Sequence, residues 1–546
     1  MKLRIAIILI FLFFSKISLA FTGDNDLAKY VISHHCEMNS TTCLLNFDLT
    51  FLGNKAGKTK LILPTEWAGA TNLDKGIYDL IVTTPSVDLI SEKDELFIKS
   101  SPFETINIKY KVKSKIDHPF KPKIFNDFFQ FFGNTVFIIP QGSFSKKRNI
   151  EIQWNMSKLN NIFNSYGLGN KCQKLNLSFN ELFDGIFLGG NVKVNHFKDD
   201  GGSTYIVTYP KSDNSLDEVV SLVTKIISSQ RKSMQELKVP YYLVSLIDLK
   251  NNSTYEGFAA TNVTNAFSFI MDDLHKYKLD ILKYYIIHEH FHNWIGKKIV
   301  SNDNYQSMMW FMEGFNDFCS LWLGYQNGLI TLDDYLYAYN QILKYYYTHP
   351  LKNISSSIIA NDFWKISILE GHPYAKGHIF AHELDYQLRS KNLEMKSVIS
   401  IIQDVLEKNN LPFEISQKNI LTTFNQYTDN KFEKQWTQYF EMGKSIRPSP
   451  NLFGKKAILV WEYAEISDYG FSLEDSYRYK IVRNVIKNSP SDLAGLRNDQ
   501  IIHSIQFPEN SYEDLVITVY TSAENTKIIK IHPVLKKIKI PQYKRS

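Results

Sequence analysis

Tyr284-Tyr285-Ile286-Ile287-His288-Glu289-His290-Phe291-His292-Asn293-Trp294 places two histidines four residues apart, with a glutamate directly after the first. On an α-helix, residues i and i+4 share a face. His288 and His292 can therefore chelate one metal ion, with Glu289 beside them to take a proton from water. The chain has 14 His in 546 residues. With Glu at roughly one residue in twenty, about 0.02 accidental His-Glu-x-x-His matches are expected, so chance is a poor explanation. His290 lies two residues from His288 and points roughly to the opposite helix face, as a packing or solvated side chain.

A hydrolytic metal centre needs a third protein ligand and an open position. Downstream, Trp310-Phe311-Met312-Glu313-Gly314-Phe315-Asn316-Asp317-Phe318 predicts another helix. Glu313 is one carboxylate in an apolar run, where an unpaired charge is costly to bury, and it is the candidate third ligand. Asp317, one turn further on, is a candidate to accept the outer N–H of a ligating histidine and fix its tautomer. A His, His, Glu set suits a tetrahedral zinc ion, one per chain, better than copper or non-haem iron.

His-Glu-x-x-His followed by Trp-x-x-Glu-Gly-Phe resembles the gluzincin metallopeptidases, and His292-Asn293-Trp294-Ile295-Gly296 with Glu313-Gly314-Phe315-Asn316-Asp317-Phe318 resembles most the glycyl aminopeptidase family. Pro373-Tyr374-Ala375-Lys376-Gly377 is similar to that family's Tyr-x-Lys-Gly helix, and Leu384-Asp385-Tyr386-Gln387-Leu388-Arg389 to its Leu-Asp-x-x-(Ile/Leu)-Arg. The resemblance implies a thermolysin-like, mostly helical catalytic domain that hydrolyses peptide bonds. In it Glu289 is general base and then general acid. Tyr374 is the phenol that hydrogen-bonds the developing oxyanion.

One departure concerns substrate choice. Family members carry Gly-Leu-Glu-His upstream of the metal helix, and the acidic residue there holds the substrate's amino terminus. Here the segment reads Gly257-Phe258-Ala259-Ala260-Thr261-Asn262-Val263-Thr264. An ammonium anchor needs a carboxylate. Either Glu256, one residue before the glycine, takes the task beside Gly257 and Ala259, or amine recognition is weakened or lost. The second reading implies endopeptidase character or relaxed exopeptidase selectivity.

Lys2 and Arg4 precede the apolar run Ile5 to Phe14, and Ser18-Leu19-Ala20 offers small residues for signal peptidase. Residues 1–20 are expected to be a signal peptide for export, to the periplasm or outside the cell. No later stretch approaches eighteen apolar residues, so no membrane span is expected after signal removal. The net charge of +6 falls to +3 without Lys2, Arg4 and Lys16, too little to argue for nucleic acid. In an exported chain Cys36 and Cys43 can form a small disulfide loop, with Cys172 unpaired and Cys319 on the third-ligand helix.

Beyond residue 20 the chain divides into three parts and is expected to be a multidomain α+β protein. Residues 21–195 alternate apolar and polar positions between turn signals, as in Lys60–Pro64, Ile77–Val82, Ile106–Tyr110 and Val136–Pro140, and predict a β-rich domain. Residues 196–450 are the expected catalytic domain: a helix over Ser215–Leu237, a strand over Tyr241–Ile247, the Gly257 strand, the metal helices, and a later helix over Met395–Glu407. Residues 455–546 contain Ser489-Pro490-Ser491-Asp492-Leu493-Ala494-Gly495-Leu496-Arg497-Asn498-Asp499-Gln500-Ile501, which resembles the Ser-Pro-Ala-x-x-Ala-Gly-Leu-x-x-Gly-Asp-x-Ile run of PDZ domains. Tyr469–Leu473 is then the candidate loop for a peptide carboxylate. Asn498 stands where the run has glycine and tolerates positive φ. Open and closed grooves are both compatible with this run.

Two function classes follow: an exported zinc peptidase acting on peptides or proteins, and a noncatalytic peptide-binding protein using the PDZ groove on a retained peptidase fold. Glu289 separates them, because a scaffold has no need of the base.

Overall fold

The computed structural model describes residues 27–36, 43–142, 144–156, 159, 161–169, 171–199, 202–236, 239–250, 252–390, 397–508 and 512–546. The expected signal peptide, Leu237 and Met395 lie outside them. Two compact units divide the chain, one ending at Asn293 and the other starting at Trp294.

In the first unit, strand Leu27–Cys36 pairs antiparallel with Cys43–Leu52 and parallel with Arg148–Asn155, inside a six-stranded sheet. Cys36 and Cys43 form the expected disulfide across that first pair. Alternation turns Tyr30, Ile32, Phe47 and Leu49 into one core, where the Phe47 and Tyr110 rings stack at 4.8 Å. Ile77–Val82 is a strand at its expected bounds. Val136 departs from expectation, because Gly133–Val136 is a helical turn and the strand is reduced to Ile139–Pro140. Gly133 packs so tightly that an added Cβ would lie 2.0 Å from the Leu182 carbonyl oxygen.

Another sheet of this unit has five strands. Its strands are β1 Lys193–Asp199, β2 Gly202–Tyr209, β3 Val239–Asp248, β4 Phe258–Val263 and β5 Ala266–Met271, in the order β1-β2-β3-β5-β4. The expected domain boundary at 195/196 therefore falls inside β1. β2, β3 and β5 run parallel, and β3 beyond Tyr241 and all of β5 are buried, as covered parallel strands require. β4 is antiparallel to β5 and forms the sheet's edge.

Helix α1, Leu216–Ser233, connects β2 to β3, and α2, Leu279–Phe291, follows β5. α1 buries Leu216, Val219, Val220, Val223, Ile226 and Ile227 along one face. α1 and α2 are joined by a buried relay. Gln230 donates through Nε2 to the Ile287 carbonyl at 2.9 Å, and its Oε1 lies 2.6 Å from His290 Nδ1.

The second unit is mostly helical from Tyr305 to Glu441. It contains α3 Tyr305–Met312, α4 Gly314–Gln326, α5 Leu332–Thr348 and α6 His372–Ser390. The helix expected from Met395 is described as Val398–Lys408, capped by Ser397. α6 is tied to it through Asp385, which accepts from Arg389 Nε at 2.7 Å and from the Val398 amide at 3.0 Å. No helix among the described residues is long and apolar enough to cross a membrane.

The C-terminal segment forms a two-stranded ribbon, Ala457–Asp468 with Val534–Arg545, and a three-stranded sheet from Ile502–Gln506, Leu515–Tyr520 and Thr526–Ile531. Asn340 of α5 acts like a strand residue toward the ribbon, donating to the Tyr543 carbonyl and accepting from the Tyr543 amide, both at 2.8 Å. After Tyr469–Ser472 the chain enters α7, Leu473–Tyr479. Glu474 of α7 accepts from the Asn353 amide and side chain, both at 3.0 Å, and Tyr477 donates to Asp362 at 2.6 Å. The positive φ expected at Asn498 belongs instead to Asp499. The Asn498 side chain accepts from the Val485 amide at 2.9 Å, so its polarity is used to tie two loops together.

Candidate metal centre

α2 ends within the His-Glu-x-x-His motif. His288 is in its last turn, and His292 is its C-cap with φ −58° and ψ −14°, still helical, so the i, i+4 relation survives. The two imidazoles meet edge to face, with their Nε2 atoms 3.1 Å apart. Tetrahedral zinc with nitrogen ligands at about 2.0–2.1 Å places neighbouring ligand atoms roughly 3.3 Å apart, so the pair has chelating geometry.

Glu313 stands at the joint between α3 and α4, where φ −106° and ψ −49° interrupt two otherwise continuous helices. Its amide still donates to the Met309 carbonyl at 3.0 Å, and its carbonyl accepts from Asp317 at 2.8 Å. It is 2 % exposed, and the Tyr305 hydroxyl donates to its Oε1. His288, His292 and Glu313 each offer a ligand atom, and these atoms lie within 4.8 Å of one another. The donor set and its spacing fit a zinc ion. The other described grouping of this kind, His34 with Cys36 and Cys43, has its two thiols joined in the disulfide.

Glu289 is buried on α2, and its backbone carbonyl accepts from Asn262 Nδ2 of β4 at 3.2 Å. That bond attaches the metal helix to the edge strand. Strand alternation assigns the side chains. Phe258 packs edge to face on Tyr285 of α2, with ring centroids 4.7 Å apart, so Phe258, Ala260 and Asn262 face α2. Ala259 turns the other way, into the buried cluster with Val263, Leu243 and Ile247. Ala259 is the alanine the sequence offered for the substrate site; the position facing the helix is Ala260. Gly257, with φ +119°, turns the chain into β4, and Glu256 is exposed before it.

His290 is buried and its imidazole is held well below the usual histidine range, first by desolvation and then by the Arg231 charge. It packs edge to face on Tyr242 at 5.5 Å and serves the α1–α2 relay. This agrees with a packing role.

Asp317 meets a residue that sequence reasoning did not single out. Its Oδ2 lies 2.7 Å from Nδ1 of His378, which is fully buried on α6. His378 follows Tyr374 by one helical turn, a spacing that could have flagged it. Tyr374 is half-buried in the first turn of α6. α4 and α6 meet at two glycines. An added Cβ on Gly314 would lie 2.5 Å from Gly377 Cα, and one on Gly377 would lie 2.1 Å from the Trp310 carbonyl oxygen. The glycines of Glu-Gly-Phe and Lys-Gly thus permit backbone contact between helices that carry Glu313 and Asp317 on one side, Tyr374 and His378 on the other.

In the C-terminal segment, the Gly470 amide donates to Asp468 Oδ1 and the Ser472 amide to the Arg483 carbonyl, both at 2.9 Å. Two N–H groups of the candidate carboxylate loop therefore already have acceptors within the chain.

A family described as M61 glycyl aminopeptidase matches residues 282–367, a stretch that includes His288, Glu289, His292 and Glu313. No curated protein matches. Among solved structures, an aminopeptidase N family protein from Idiomarina loihiensis aligns over 93% of this chain and 98% of its own, with TM-score 0.67 and 14% identity. An M1 zinc metallopeptidase from Deinococcus radiodurans aligns over 78% of this chain and 96% of its own, with TM-score 0.48 and 10% identity. Yeast LTA4 hydrolase aligns over 78% of this chain and 69% of its own, with TM-score 0.47 and 12% identity. At such identities the likeness is one of fold: the chain has the multidomain fold of the aminopeptidase N family protein.

Proposed function

We propose that this protein is an exported zinc-dependent metallopeptidase, related in its site to the glycyl aminopeptidases and changed in how it meets the substrate's amino terminus. The grouping of His288, His292 and Glu313 is the observation that carries the proposal. Its match to a glycyl aminopeptidase family over residues 282–367 supports the peptidase chemistry.

His288, His292 and Glu313 would hold one zinc ion, which when bound polarises a carbonyl and makes water a stronger acid. Glu289, adjacent to His288 and buried, accepts the water proton and returns it to the leaving amine. Tyr374 donates a hydrogen bond to the oxyanion that develops as water adds to the peptide carbonyl. Asn262 keeps Glu289's stretch of helix against β4. As the edge of its sheet, β4 suits an extended peptide added as a further strand, held by main-chain hydrogen bonds that need no free terminus.

Amine recognition is weakened because Ala260, the β4 side chain facing α2 at that level, bears no charge, and Glu256 is exposed rather than buried beside it. Substrates without a free amino terminus are therefore accepted. The Cys36–Cys43 disulfide supports an oxidising compartment outside the cytosol. Residues 455–546 act as a PDZ-like brace on the helical part, a role supported by the Asn353 and Asn340 contacts and by the internally bonded loop amides. The non-catalytic alternative, peptide capture in that groove, draws no support from those amides.

The test pairs metal analysis with cleavage of a short peptide, free or N-acetylated. The wild-type protein is expected to carry one zinc and cleave both forms at similar rates. Glu289→Gln is expected to keep the zinc and lose about 10²–10⁴-fold in rate. Hydrolysis that survives Glu289→Gln refutes the mechanism, and a strong preference for the free amine refutes the altered anchor.

A further inference from the structure

Two helical turns before Glu313, Tyr305 occupies the first position of α3, where Asn304 caps the helix by accepting from the Gln306 amide. The preceding loop is pinned as well, since Asp303 accepts from the Gln417 amide at 2.6 Å. From this fixed start the phenol reaches along the helix and donates to Oε1 of Glu313. Glu313 is almost wholly excluded from water, so what its carboxylate touches is set by the protein around it.

A carboxylate has two equivalent oxygens and can bind a metal through one or both. A phenol donating to Oε1 occupies that oxygen and favours the other, Oε2, as the one that binds a metal. It also fixes the torsion of a side chain that sits at a helix joint, where neighbouring turns restrain it less than in a continuous helix. We infer that Tyr305 is a positioning residue, holding Glu313 as a one-oxygen ligand and so keeping one corner of a tetrahedral site open for solvent and substrate. The inference rests on reading His288, His292 and Glu313 as zinc ligands. Outer partners of this kind typically change metal affinity by about 10–100-fold when removed.

The experiment uses the full chain, freed of metal and titrated with zinc against a chromogenic chelator, as wild type and as Tyr305→Phe. Phenylalanine keeps the ring and removes only the hydroxyl. The expected result is a zinc Kd weakened about 10–100-fold in the variant, with the melting temperature of the metal-free protein unchanged. The cobalt-loaded variant should also show weaker visible bands, because a carboxylate free to bind through both oxygens raises the coordination number. An unchanged Kd and cobalt spectrum overturn the role of Tyr305 while leaving the metal site standing. A wild-type protein that binds no zinc overturns the site reading and this inference with it. A variant that melts early without metal makes Tyr305 a structural residue and also overturns the inference.

Discussion

Gly377→Ala tests whether the crossing of α4 and α6 sets the reaction geometry. The added methyl would lie 2.1 Å from the Trp310 carbonyl oxygen and 2.9 Å from Gly314 Cα, whereas real Cβ contacts essentially never fall under 3.0 Å. The backbones must therefore separate by about 0.9 Å at least, and neither atom can swing aside as a flexible side chain would. Overpacking of this kind costs about 1–3 kcal/mol, and replacing a helical glycine by alanine returns up to about 1 kcal/mol. Stability should fall by no more than about 3 kcal/mol. Trp310 is three residues from Glu313, however, and Gly377 three from Tyr374, so the same displacement separates ligand from phenol. A misplacement of about 1 Å can cost roughly 100-fold in rate. The assay is kcat/KM on an N-acetylated peptide beside a urea melt, with Gly76→Ala as control, since nothing lies within 4 Å of its added methyl. A Gly377→Ala protein with kcat/KM within about threefold of wild type would refute the reasoning.

Two buried lysines, Lys376 and Lys123, should answer removal of their charge in opposite ways. Lys376 Nζ has no hydrogen-bond partner among the described residues, and desolvation lowers its pKa from 10.5 to about 7, with Glu474 pulling it up and Arg478 pushing it down. A base depressed in the folded state destabilises the fold fully below its folded pKa, and this is relieved as pH rises toward 10.5. The contribution to stability should thus climb by about 1.4 kcal/mol per pH unit above pH 7. Lys376→Met should be more stable than wild type at pH 7 and lose that slope, which urea melts at pH 7 and 9 would show; a less stable variant at pH 7 contradicts the prediction. Lys123 Nζ instead donates to the carbonyls of Lys115, His118, Pro119 and Lys121 at 2.6 to 3.1 Å. Lys123→Met should destabilise by roughly 2–4 kcal/mol in the same melts, because those acceptors lose their donor in a dry site.

Local spacing made the α2 part of the candidate site legible. His288, Glu289 and His292 are related by one helical turn, so period alone places them. Glu313 stood out because one carboxylate in an apolar helix needs a reason to be there. The boundary at 195/196 was set by a change of pattern, yet β1 runs through it, since a hairpin partner in β2 outweighs local composition. Ala259 was singled out because it stands where the resembling family has its glutamate, whereas the direction of each alanine is supplied only by the packing of Phe258 on Tyr285. Tyr305 and His378 escaped notice because tyrosine and histidine report no role until a partner is placed beside them.

The chain's one-dimensional pattern by itself determined which residues can hold a metal, which carboxylate stands beside them, and that strands precede helices, because each is a property of neighbours within one or two turns. The tertiary structure alone decided which alanine faces α2 and why two glycines occur in the motifs. Those depend on contacts between segments tens of residues apart, and no period in the sequence records where such segments meet.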